Sequence, residues 1–272
     1  MILPICLILA TIGLPGLGAQ AQPAALVTAS PDRLASFADV AELTLASPVI
    51  VRATITRAAA LSRKAAPDVA PGRARLLVTV AVSNPLLAPA ALPASLVFAW
   101  DAPLDSRGKP PKVTGMEVLA FLAAPGAGGA TRLISRRAVQ PWDEALADTV
   151  RRVAREARSS DVPDVRGVTS GFRDVGTVAG ESESQFFLAT TDDRPAVLVV
   201  QNRPGEARRV AVARGDIIDE SAQPVQPGTL LWYRLACSLP ARLPAAAGGN
   251  DPALARDWQT AIASLGPCGL TG

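Results

Sequence analysis

The chain has 272 residues, of which 27 are basic and 24 acidic, for a net charge of +3; 49% are hydrophobic and 19% charged. It is too apolar for a disordered chain and too short for more than about two ordinary domains. With no histidine and three cysteines, it excludes Ser-His-Asp triads, Cys-His dyads, imidazole metal sites and a four-cysteine zinc site. The basic residues are 24 Arg and three Lys, and Ala occurs 51 times, a bias that reads as a GC-rich genome and not as a binding signal.

Residues 2–17 are apolar, uncharged and broken by Pro4, Pro15 and glycines, and Ala19-Gln20-Ala21 then offers small residues at the two positions a signal peptidase reads. The expectation is a signal peptide over residues 1–21, cleaved between Ala21 and Gln22, and a mature chain in the periplasm or the medium. The run is too short and too rich in Gly and Pro for a spanning helix, which needs about 20 apolar residues. No later segment is apolar enough to span, so no transmembrane segment is expected in the mature chain. Cleavage removes Cys6 and leaves Cys237 and Cys268. In an oxidising compartment the pair reads as one disulfide, with two separate buried thiols as the alternative.

Residues 22–48 form a helical lead. Ser30-Pro31-Asp32 is a helix-start signal, and Leu34, Phe37, Val40 and Ala41 follow at helical spacing. Strands are predicted over residues 49–55, 75–82, 95–100, 116–122 and 131–139, with a polar loop at 101–112 and a glycine-rich hairpin turn at 126–129. Five short strands in this space point to a small barrel or sandwich. The runs Val49-Ile50-Val51-Arg52-Ala53-Thr54-Ile55 and 76–82, followed by Gly115-Met116-Glu117-Val118-Leu119-Ala120-Phe121-Leu122, resemble the netrin-like (NTR) modules over residues 40–140. The resemblance implies a five-stranded OB-type barrel over residues 49–140.

A helix then opens at Pro141-Trp142-Asp143-Glu144 and runs to Arg158, with an apolar stripe of Trp142, Leu146, Val150, Val153 and Ala157. Residues 159–164 read as a linker, so that 141–164 is helix plus linker. The remainder, 165–272, reads as a second, antiparallel β domain with a C-terminal helix. Its predicted strands are 168–174, 183–189, 197–201, 209–214 and 229–237, with a helical turn at 217–222. Asp251, Pro252 and Gly266 frame the last helix, whose buried face is Leu254, Trp258, Ile262 and Leu265. The fold class is therefore mainly β with flanking helices.

Few motifs carry chemistry. Ser106-Arg107-Gly108-Lys109 matches S-x-x-K but sits in a Gly/Pro-rich loop, where Ser and Lys do not share a helical turn, so a solvent loop is expected. Asp174, Glu181 and Glu183 are the best acid/base candidates left, because paired carboxylates can hydrolyse glycosides; the alternative is a solvated sheet edge. Arg132, Arg136, Arg137, Arg151, Arg152, Arg155 and Arg158 form a basic run, in which Arg151, Arg155 and Arg158 are candidates for an anion-binding face; the alternative is an ordinary solvated helix and strand. Asp216, Asp219 and Glu220 lack the spacing of a calcium loop, and neither a metal nor a cofactor is expected. Nucleic acid is disfavoured by export and by the 4% aromatic content. The expectation is a non-catalytic binding or interaction module of the cell envelope, with an envelope protein or an anionic polymer as partner. The alternative is a carboxylate-dependent hydrolase of an envelope polymer.

Overall fold

The computed structural model describes residues 32–191, 194–214 and 222–271. The predicted signal peptide with Cys6, Ala21 and Gln22, the Ser30-Pro31 start signal, and Asp216, Asp219 and Glu220 lie outside the described residues, as does all of the turn predicted at 217–222 except Ala222.

The first element among the described residues is helix α1 (Phe37–Ala46). It begins six residues later than the Pro31 signal implies, because Ser36 and Asp39 form a capping box that satisfies free amides at its start. Five strands follow: β1 (Val49–Ala60), β2 (Arg73–Leu87), β3 (Ser95–Pro103), β4 (Glu117–Leu122) and β5 (Val139–Pro141). They form one antiparallel sheet in the order β3-β2-β1-β4-β5, curled into a half-barrel. Val51, Ala53 and Ile55 of β1 and Val118, Ala120 and Leu122 of β4 point into its hollow with Leu96, Phe98 and Trp100. Ile50, Leu119 and Phe121 point the other way, beneath Val40 and Leu43 of α1. Because both faces are covered, β4 is buried from Val118 to Leu122 and lacks the polar alternation of a half-exposed strand.

The strand predicted at 131–139 shrinks to β5. A turn interrupts it: the Arg137 amide donates to Ser135 Oγ at 3.1 Å and the Ala138 amide to the Ser135 carbonyl at 3.1 Å. What precedes the turn makes only single bridges, Ala130 to Val97 and Leu133 to Leu122.

Helix α2 (Glu144–Arg158) is capped by the Asp143 side chain and buries Ala147, Val150, Val153 and Ala154. Ala157, predicted on this stripe, is exposed and Ala154 takes its place. The predicted linker is packed into the fold: Val162 is buried with Ala41, Val153 and Leu230, and Arg234 Nη1 donates to its carbonyl at 2.6 Å.

Strands β6 (Val165–Val175), β7 (Ser182–Thr190), β8 (Val197–Asn202) and β9 (Arg209–Ala213) form a second antiparallel sheet in chain order. The segment predicted as a further strand at 229–237 is instead helix α3 (Leu230–Ser238). Thr229, Trp232 and Tyr233 are good strand formers. Even so, Thr229 Oγ1 caps the Trp232 amide at 3.2 Å, and Leu231, Trp232, Leu235, Ala236 and Leu239 make a helical stripe against the core. Helix α4 (Pro252–Leu265) follows, with the predicted Asp251 cap and Pro252 start. Its Trp258 is fully buried and meets Phe186 of β7 edge-on, with ring centroids 5.0 Å apart. A disulfide joins Cys237 to Cys268, with Cα atoms 4.8 Å apart.

Candidate functional site

The structure brings two of the three predicted carboxylates together. Asp174 and Glu183 are directly opposite in the β6–β7 register, whereas Glu181 precedes β7 and belongs to the hairpin turn, its backbone bonded to Gly176 and Val178. Asp174 is exposed and accepts from the Val175 amide at 2.9 Å. Glu183 accepts from Gln185 Nε2 at 2.7 Å and from Gln201 Nε2 at 2.9 Å. The three thus sit on a sheet end and its turn, held by neutral donors.

The predicted arginines are divided. Arg151 is tied to Glu144 at 2.9 Å and Asp148 at 2.6 Å, and these carboxylates raise its pKa. Arg155 and Arg158 lie exposed in the last turn of α2, where they complement the helix dipole. The Ser106–Lys109 segment is a turn: Asp105 Oδ1 accepts from the Arg107 amide at 2.9 Å and the Lys109 amide at 2.8 Å. Among the described residues, no group of three or more Cys, Asp or Glu side chains is arranged to hold a metal ion. No helix among them is long and apolar enough to cross a membrane.

The most concentrated polar site lies elsewhere. Asp39, at the start of α1, has no exposed side-chain surface and gathers donors from its own helix start and from two distant parts of the chain. Arg137 reaches it through Nη1 at 3.0 Å and Nη2 at 2.8 Å. The Ala35 and Ser36 amides donate to Oδ2 at 3.1 Å each. The Thr271 amide and hydroxyl donate at 3.0 and 2.9 Å. Burial pushes the Asp39 carboxyl up, but the bonds from Arg137, Thr271 and Ala35 outweigh it and hold the group well below the usual carboxylate range. Gln140 completes the site by donating from Nε2 to the Asp32 and Arg137 carbonyls, both at 2.7 Å. Beside it opens a cleft of about 420 Å³ lined by Asp39, Glu42, Ile134, Arg136 and Arg137.

A second cleft, of about 220 Å³, is lined by Arg63, Arg73 and Arg75 together with Leu61, Val69 and Leu104. Its cations are engaged: Arg73 with Asp32, Arg75 with Asp101 and Asp68, and Arg63 with the Val69 carbonyl.

The sequence carried one signal for the Asp39 site, the S-x-x-D spacing of Ser36 and Asp39. Arg137 read only as one member of a basic run, and nothing local marks Thr271 as its partner across 232 positions.

The described residues thus form a mainly β fold of two antiparallel sheets joined through helices, with a buried Asp39–Arg137 centre where the start of α1 meets Thr271. Neither protein-family models nor curated proteins compared with the chain match it.

Proposed function

We propose that this chain is an exported protein of the cell envelope, periplasmic or secreted, and acts as a non-catalytic binding module for another envelope protein. The Ala19-Gln20-Ala21 site supports export, and so does the disulfide, a bond that persists in oxidising compartments. The half-barrel is read as OB-like, of the netrin-like type. Its β1 lies between β2 and β4, and the parallel bridge from Val97 to Ala130 sits on its open side, which suits a partly open five-stranded barrel.

The observation that carries the binding reading is apolar surface at the β6–β7 hairpin. Phe172 is 58% exposed and Phe187 39%, and Val178 is 56% exposed in the turn between the strands; Val175, 65% exposed, alternates to the opposite face with Arg173. Phe172 lies opposite Gln185 and Phe187 opposite Ser170, so the two rings are diagonal neighbours on the outward sheet face. Large exposed apolar side chains grouped in this way mark interaction surfaces.

A photo-crosslinking residue at position 172, in the protein produced in its native envelope, tests the reading, with position 107 as the control. Adducts at 172 that excess wild-type protein suppresses, and that a Phe172→Ser/Val178→Ser competitor does not, are expected. Equal labelling from positions 172 and 107 would overturn it.

A further inference from the structure

The disulfide and the Asp39 site are connected by a very short piece of chain. Helix α4 ends at Leu265, Gly266 turns the backbone away at φ 72°, and Cys268 is bonded to Cys237 in the last turn of α3. Three residues further on, Thr271 places its amide on one oxygen of Asp39 and its hydroxyl on the other. Leu270, between them, is 41% exposed and does not anchor the segment by burial. Residues 269–271 therefore form a strap, fixed at one end by the disulfide and at the other by two hydrogen bonds to a carboxylate that lines the larger cleft.

We propose that the Cys237–Cys268 disulfide is a redox latch: while it is closed the strap holds Thr271 on both oxygens of Asp39, and its reduction releases the strap and leaves that side of the Asp39 carboxylate open to solvent. The argument is one of chain entropy. With the disulfide closed, docking Thr271 orders three residues beyond Cys268. With it open, docking orders the five beyond Gly266, whose amide stays on the Ile262 carbonyl. Each further residue fixed lowers the docked-to-free ratio by about tenfold. Two charge-assisted bonds offset the shorter segment and not the longer one.

The release is local. Trp258, Leu254, Ala261 and Leu265 keep α4 buried on the second sheet. Trp258 Nε1 donates to the Pro240 carbonyl at 3.1 Å and Trp232 Nε1 to the Leu265 carbonyl at 2.7 Å. Neither cysteine is fully buried, so a reductant has access. The chemistry is exchange with a dithiol. One of its thiolates attacks the Sγ of Cys237 or Cys268, breaking the bond and forming a mixed disulfide. Its second thiolate resolves that intermediate. Two electrons and two protons pass to the protein, which ends with two thiols, and the dithiol ends as a disulfide.

Carboxyl footprinting with a carbodiimide and glycine ethyl ester, read by mass spectrometry alongside amide hydrogen exchange, tests the latch on the full chain before and after treatment with dithiothreitol. Reduction is expected to raise labelling of Asp39 and exchange at Thr271 by about tenfold or more, with the α4 amides unchanged. Thr271→Pro, which removes both donors, is expected to expose Asp39 with the disulfide still closed. An Asp39 that stays unlabelled in the reduced chain, or in the oxidised Thr271→Pro chain, would overturn the proposal. So would exposure of Asp39 together with the α4 amides, since the disulfide would then staple the whole half and not the strap.

Discussion

Asp39 and Arg137 stand 98 positions apart in sequence and meet through two bonds, Nη1 to Oδ1 at 3.0 Å and Nη2 to Oδ2 at 2.8 Å, with side chains 0% and 9% exposed. Their meeting joins the start of α1 to the turn ahead of β5. Removing one partner leaves the other as a buried charge short of its counter-ion. Asp39→Ala and Arg137→Ala are each expected to cost about 3–5 kcal/mol in chemical denaturation. The double variant should cost clearly less than the sum of the two, because the second substitution removes a charge that the first had already stranded.

The same carboxylate sets a pH dependence. Arg137, Thr271 and Ala35 hold Asp39 below its ordinary range in the fold, despite the opposing effect of burial. The unfolded state therefore binds a proton more readily than the native state as the pH falls. The contribution of Asp39 to stability is full above about pH 5 and is lost progressively below about pH 4, as the pH falls toward the folded-state value. Denaturation midpoints followed from pH 7 to pH 2.5 should fall more steeply for the wild type than for Asp39→Asn, which has no proton to gain.

What could be read ahead in the sequence was set by local chemistry. β1 carries Val49, Ile50, Val51, Thr54, Ile55 and Thr56, β4 is a continuous apolar run from Val118 to Leu122, and Asp251-Pro252 and Gly266 punctuate α4 from within its own turns. Sequence and structure part where a distant contact overrides a local preference. Thr229, Trp232 and Tyr233 favour a strand. Yet Glu156 of α2 accepts the Leu230 amide at 2.7 Å, and Leu230 is buried beside Ala41 and Val153, so the segment starts a helix. Asp174 is legible as lying on the strand before Glu183, but Glu181, which the spacing puts on one strand face with Glu183, falls in the hairpin turn because β7 starts only at Ser182. The Asp39 centre is not legible, because two of its donors, Arg137 and Thr271, come from 98 and 232 positions away.

The largest fully buried side chain among the described residues lies in the core of the second sheet. Trp258 is fully buried among Phe186, Leu198 and Leu235, and its indole nitrogen is bonded to the Pro240 carbonyl. Trp258→Ala leaves a cavity and an unpaired carbonyl, and should cost about 3–5 kcal/mol. Because Cys237–Cys268 still ties α3 to the chain beyond α4, reducing the disulfide in this variant should unfold the second sheet at a denaturant concentration that leaves the reduced wild type folded. Tryptophan fluorescence and far-UV circular dichroism would follow the transition.

Two glycines separate backbone conformation from close approach. Gly129 and Gly205 have φ of 80° and 81°, a region that costs other residues about 1–2 kcal/mol. Around Gly205 there is open space, whereas a Cβ on Gly129 would lie 2.5 Å from the Ser95 carbonyl oxygen, where the 126–129 turn presses on β3. Gly205→Ala should lose only the conformational cost. Gly129→Ala should lose that and about 1–3 kcal/mol more, as β3 is pushed away from the bridge at Val97 and Ala130. Equal losses in thermal or chemical denaturation would show that the turn yields without moving β3.

The carboxylates of the β6–β7 hairpin give the test that separates binding from hydrolysis. Asp174 is exposed and faces Glu183 across the strand pair, and like charges set directly opposite repel. Asp174→Asn should therefore leave stability unchanged or raise it, by about 0.2–1 kcal/mol. Glu183→Gln keeps one acceptor oxygen where Gln185 and Gln201 use two, so one of those amides must turn its own oxygen toward the new NH2, and the change should cost no more than about 1 kcal/mol. If the hairpin binds through Phe172 and Val178, the double variant Asp174→Asn/Glu183→Gln should keep the crosslinks formed from position 172. It should also give the same products as wild type when each is incubated with purified envelope glycan. A glycan-cleaving activity present in the wild type and absent from this still-folded variant would replace the binding reading with the hydrolase.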